Sequence, residues 1–248
     1  MSWVHLLWLF LLASAPFIYN SGDANWILVF GNGAKVFSLM ICGLSLTMTQ
    51  SAFSTNDTPH KAWTFLSSGM WIWLFAQFIF AYYKVVMKES PYPSLADVFF
   101  VIAYLPLLAG VVLLIKDFRS TGLPMGTRSS YMIQAILLLA LYGVIYATLL
   151  QRFVVSDDAP ALKFLNVGYP TFDFILIALT SVLVRISWSM RGGSLGRSWL
   201  MLCAGFTVLG VADITFAYQA YPFLDVLFFS SYFLIALSGV YQIRMLRQ

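Results

Sequence analysis

Charge is what this sequence has least of. Only 10% of its 248 residues are Asp, Glu, Lys or Arg, against about 25% in soluble domains. So few charges cannot cover a water-exposed surface, which excludes the soluble globular and disordered classes. Cysteine is equally scarce: Cys42 and Cys203 are the only two, and no CxxC pair occurs. A disulfide framework and a cysteine-based metal site are therefore unsupported, and both cysteines read as small packing residues. The only two histidines, His5 and His60, fall at different helix ends. That argues against paired haem ligation and leaves the Ser, Thr and Asp residues without a histidine base. Period-two alternation is missing too, which argues against a membrane β-barrel.

Apolar residues fill the space that charge leaves. They make up 60% of the chain, and they gather into runs near the ~20 residues that cross a bilayer as a helix. Eight such runs lie at roughly 3–19, 26–49, 63–85, 97–115, 131–153, 171–188, 198–218 and 223–243. The expected fold is an all-α polytopic membrane protein of about eight transmembrane helices, forming a single domain over residues 1–248. The first run reads as a retained helix rather than a signal peptide. No Lys or Arg precedes it, and Pro16 follows the small-residue stretch at 13–15.

The formal charge of +4 reports orientation rather than affinity for nucleic acid. With eight crossings, one side carries both termini, with Lys61, Lys116, Arg119, Arg128, Arg191, Arg197, Arg244 and Arg247 against the acids Asp57 and Asp117. The other side holds Lys84, Lys88, Arg152 and Lys163 together with Asp23, Glu89, Asp97, Asp157 and Asp158. The basic bias places both termini in the cytoplasm. Membrane lipids are the first partners implied. Trp3, Trp26, Trp63, Trp188 and Trp199 stand near run ends, as interfacial anchors do.

One motif recurs on the outer side. A Tyr-Pro pair followed by an aspartate appears as Tyr92-Pro93 with Asp97, Tyr169-Pro170 with Asp173, and Tyr221-Pro222 with Asp225. Each precedes an apolar stretch and reads as a helix start. Ser94 and Asp97 have capping-box spacing, and the carboxylate suits the positive end of the helix dipole. Thr171 is placed to cap similarly. Asp225 lacks a capping hydroxyl before it, so it is either the cap itself or directed elsewhere.

The repetition extends further. "AQFIFAYY" at 76–83 matches "ADITFAYQ" at 212–219, and Val98, Phe100 and Tyr104 match Val226, Phe228 and Tyr232. Hairpins at about 63–115 and 198–243 therefore read as two copies in the same orientation. A diverged copy lies at 131–188, and helices 1–2 stand apart at 3–49. Parallel repeats of this kind weaken a reading built on inverted transporter repeats.

The segment "PYPSLADVFFVIAYLPLLAGV" at 91–111, with Tyr169-Pro170 and Asp173 and the Ala212-Asp213 pair, resembles a known family. It is similar to the multi-helix membrane module at the N-terminus of bacterial GGDEF and EAL proteins, the cyclic-di-GMP synthases and hydrolases. The resemblance covers roughly 63–243 and is specific at 91–107. It implies a sensory role in a bacterial cytoplasmic (inner) membrane and supplies no catalytic residue. In that family a cytoplasmic catalytic domain follows the last helix. Here no GG[DE]EF segment follows and the sequence ends at "YQIRMLRQ", so signalling is expected to run through a separate protein partner.

Ionisable groups inside a bilayer are functional candidates by default. Lys35 lies nine residues into the second run and Asp213 five residues from the outer end of the seventh. At 1.5 Å per residue these are depths of about 14 and 8 Å, so a Lys35–Asp213 ion pair is expected. Gln77, the repeat counterpart of Asp213, is expected to join them in one outward-facing polar pocket. "GNGAK" at 31–35 lacks the phosphate-loop spacing; its glycines read as close helix packing or a local break beside Lys35. Asp213 and Asp225 are the nearest candidates for an aspartyl-protease pair, without the expected GxGD context. No metal is assigned and no cofactor is named. The leading expectation is a non-enzymatic sensor or interaction module for a small or lipophilic ligand. The alternatives are a structural subunit of a membrane complex and a small transporter.

Overall fold

A computed structural model of the chain describes residues 2–122, 125–189, 194–219, 221 and 223–247. Among these residues every regular element is a helix: α1 (Trp3–Tyr19), α2 (Ala24–Gln50), α3 (Thr58–Ala81), α4 (Leu95–Ser120), α5 (Arg128–Ile145), α6 (Gln151–Val155), α7 (Pro160–Ser189), α8 (Ser194–Tyr218) and α9 (Leu224–Leu246). A π-helical turn at Tyr82–Met87 extends α3, and another at Tyr146–Leu150 joins α5 to α6 as one rod. Seven helices are long and apolar enough to cross a membrane. The eighth, α1, has 17 residues, at the short end of what spans a bilayer. It runs antiparallel along α9: the His5 ring meets Tyr241, and Trp8 Nε1 donates to Ser230 Oγ at 3.0 Å. The chain is a polytopic helical membrane protein.

The helices close into a ring. Each of α2, α3, α4, α7, α8 and α9 packs on the next, and α9 returns to α2. Exchanging α2, α3 and α4 for α7, α8 and α9 maps this ring onto itself. The tight hairpins α3–α4 and α8–α9 are thus each completed by a preceding helix. The sequence pairs α7 with α5 as a hairpin. In the structure α5 meets α7 through long side chains, with Gln134 Nε2 donating to Ser181 Oγ at 2.8 Å and Tyr142 bonding Thr171 at 2.8 Å.

Packing repeats position by position. Gly69 of α3 sits against Leu107 and the Ala103 carbonyl of α4; Gly205 of α8 sits against Ile235 and the Ser231 carbonyl of α9. Gly69 and Gly205 lie 136 positions apart, and Leu107 and Ile235 lie 128 apart. A Cβ on Gly69 or Gly205 would come within 2.5 Å of its neighbour, so glycine is what lets each hairpin close. The core follows the same register: Leu66 and Met70 on α3, Leu202 and Phe206 on α8, all fully buried.

Two of the three Tyr-Pro-Asp segments sit as the sequence implies, at or just before helix starts. Asp97 Oδ2 accepts from Ser94 N at 2.6 Å and Ser94 Oγ at 2.8 Å, closing the box at the start of α4. Asp225 lies in the first turn of α9; Tyr221 precedes it, and Pro222 is outside the described residues. The middle copy is different. Tyr169-Pro170 lies inside α7, which begins ten residues earlier at Pro160. The physical cause is local. Proline suits the first position of a helix, where no N–H is needed, and Leu162 and Lys163 N–H bond the Ala159 carbonyl at 2.9 and 3.1 Å. Pro170 then removes a donor in mid-helix. Thr171 does not cap; its hydroxyl donates back to the Val167 carbonyl at 2.7 Å.

Candidate functional site

The ring surrounds a cavity of about 100 Å³ in the half of the bundle that holds the Tyr-Pro-Asp segments. Its walls come from equivalent positions of the two repeats. Gln77 and Phe80 of α3 face it, as do their counterparts Asp213 and Phe216 of α8. From α4 come Phe100 and Tyr104, and from α9 their counterparts Phe228 and Tyr232. Lys35 of α2 and Tyr169 of α7 complete the ring. Lys35, Gln77 and Asp213 thus border one space.

The ion pair differs from the expected one. Lys35 Nζ meets Asp225 Oδ1 at 2.7 Å, not Asp213. Two features direct it. Gly31 stands one helical turn before Lys35, and a Cβ there would collide with the Asp225 carboxylate. The glycine of "GNGAK" therefore admits Asp225 to the flank of α2. The ammonium also lies 5.5 Å from the Phe80 ring and 5.7 Å from the Phe228 ring, close enough for cation–π attraction. Asp225 therefore neutralises a membrane-embedded lysine rather than capping α9. Gln77 Nε2 reaches Asn32 Oδ1 at a long 3.5 Å.

The other two motif aspartates bond tyrosines across the α4–α7 seam. Tyr169 Oη donates to Asp97 Oδ1 at 2.8 Å, and Tyr104 Oη donates to Asp173 Oδ1 at 2.7 Å. Tyr92 Oη donates to Asn166 Oδ1 at 2.9 Å and ties the loop before α4 to α7. Burial, with Asp97 and Asp213 nearby, pushes the Tyr92 phenol above its ordinary value. Tyr169 and Asp173 of the middle motif are therefore cross-helix contacts rather than parts of a helix start.

Asp173 is 1% exposed and packs against α8 at Gly210, one turn before Asp213. A Cβ on Gly210 would come 3.2 Å from Asp173 Cβ, so the glycine lets Asp173 approach α8. Sequence reasoning misses Asp173 at this site because Pro170 looks like a helix start. The signal that finds it is Pro160 after Asp157 and Asp158, which places Asp173 in mid-helix.

Aspartic hydrolysis uses two carboxyls that both reach one water. Here Asp213 borders the cavity while Asp173 stands behind it, one oxygen held by Tyr104. The pair is built to present one carboxyl, not two. Asp213 with Asp225 forms no such pair, since Asp225 is taken by Lys35. Among the described residues, no group of three His, Cys, Asp or Glu side chains could hold a metal ion. Comparison with protein families, curated proteins and solved structures found no match.

Proposed function

We propose that the chain is a non-enzymatic sensor or interaction module of a bacterial cytoplasmic membrane. It binds a small amphiphilic ligand in the ring cavity and passes a helix shift to a separate protein partner. One observation carries this reading: six helices from two repeats contribute side chains to the same cavity. A ligand there touches every helix of the ring, so its binding biases the packing of all six at once. The similarity of residues 91–111 to the membrane modules of cyclic-di-GMP proteins supports the same role.

The test is native mass spectrometry of the protein released from its own membranes in mild detergent, beside a Leu209→Trp variant that fills the cavity. The expected result is an added small-molecule mass on the native chain that the variant lacks. A bare chain in both samples would overturn the ligand reading. A stoichiometric protein with no small molecule would favour the accessory-subunit reading. That alternative has its own support in α5, which has no buried residue and an almost wholly outward-facing apolar surface.

A further inference from the structure

We infer that the cavity selects a small organic cation, a primary ammonium on a short apolar body, with Asp213 as its anchor. This rests on the ligand-binding reading above and names the chemical class that the site takes.

Charge around the cavity does not balance. Four carboxyl groups stand in or directly behind the walls: Asp97, Asp173, Asp213 and Asp225. Two lysines oppose them. Lys35 is committed to Asp225 at 2.7 Å. Lys84 lies 5.6 Å from the centre of the Phe80 ring. Carboxyl groups therefore outnumber ammonium groups around the cavity by four to two. Asp97 is satisfied by Ser94 and Tyr169. Asp213 is not: no N–H or O–H donor reaches it among the described residues, and it lines the cavity while still partly exposed. Behind it, Asp173 Oδ2 is fully buried without a donor of its own. A partly buried carboxylate facing an apolar space without a donor is stabilised by a cationic partner.

The rest of the lining suits a cation with an apolar body. Trp73, Phe100, Tyr104 and Tyr232 present ring faces or edges to the same space, and aromatic rings attract ammonium groups within about 6 Å. Size limits the occupant. At about 100 Å³ the cavity is smaller than the ~150 Å³ apolar cavity that takes benzene, so a body of roughly four carbons fits.

The experiment is calorimetric titration of the native chain in lipid nanodiscs at pH 7 with three probes of one shape: butylammonium, 1-butanol and butyrate. Empty nanodiscs provide the partition control. Butylammonium is expected to bind one to one and about tenfold more tightly than butanol, the discrimination of one charge-assisted hydrogen bond. Asp213→Asn is expected to erase that preference while leaving butanol unchanged. Equal binding of butylammonium and butanol to the native chain overturns the cation inference but leaves the ligand reading standing. Preference for butyrate overturns it in favour of Lys35 as anchor. If no probe binds, the cation inference fails, and the mass of whatever co-purifies from native membranes decides the ligand reading separately.

Discussion

Asp97 and Tyr169 join α4 to α7 at 2.8 Å in the place where, one repeat away, Asp225 and Lys35 join α9 to α2 at 2.7 Å. The two aspartates occupy equivalent positions. Their partners also correspond, since Lys35 and Tyr169 lie 134 positions apart, as do Asn32 and Asn166. One seam is closed by an ion pair and the other by a phenol–carboxylate bond. The cavity between them inherits two similar walls with different charge.

Breaking the ionic seam is expected to be severe. Lys35→Met leaves the partly buried Asp225 without its cation, at a cost of about 3 kcal/mol, the low end for a buried pair. Lys35→Met with Asp225→Asn removes both charges and is expected to recover most of that loss. Thermal unfolding in detergent, run as a double-mutant cycle, checks this. Additive losses would show that the pair is not coupled.

The glycines of "GNGAK" are expected to behave oppositely. Gly31→Ala forces Asp225 away and should destabilise nearly as much as loss of Lys35. A methyl group on Gly33 would meet nothing within 4 Å, so Gly33→Ala is expected to be neutral or to gain about 0.5–1 kcal/mol from helix propensity. Matched unfolding curves of the two variants decide the matter, and equal losses would contradict the assignment.

Gly69→Ala and Gly205→Ala test the repeat. Each overpacks the same point of its hairpin, so both are expected to lose about 1–3 kcal/mol. A large effect at one and none at the other would show that the two hairpins do not share a packing register.

Much of the fold is legible in the sequence because its signals are strong and local. Eight apolar runs stand out against scarce charge, and the α3–α4 and α8–α9 hairpins share enough residues to align directly. The kinship of α2 with α7 is hidden. In a bilayer the buried positions exchange freely, so Leu39 stands where α7 has Asp173, and Cys42 where it has Leu176. Lys35, Gln77 and Asp213 can be placed at similar depths by counting residues. Which carboxylate meets Lys35 cannot, because that depends on rotation about the helix axis and on the gap left by Gly31. Pro170 misleads because proline signals a helix start more often than a position inside one, whereas in a membrane neighbouring groups can support such an interruption.

Tyr169→Phe is expected to cost about 1.5–3 kcal/mol, the value of a hydrogen bond to a charged group, with Asp97 Oδ1 left short of a donor. Tyr104→Phe should cost a similar amount through Asp173. Unfolding of both single variants and the double variant measures the α4–α7 seam. No loss in either would mean that the two bonds do not hold it.

The most direct test is electron cryo-microscopy of the protein in nanodiscs formed from its native lipids, at a resolution that separates side chains. Ligand binding in the ring predicts non-protein density there, in contact with Asp213 and flanked by Tyr104 and Tyr232, while Lys35 remains on Asp225. A ring collapsed on itself, with those aromatic side chains filling the space, would contradict it.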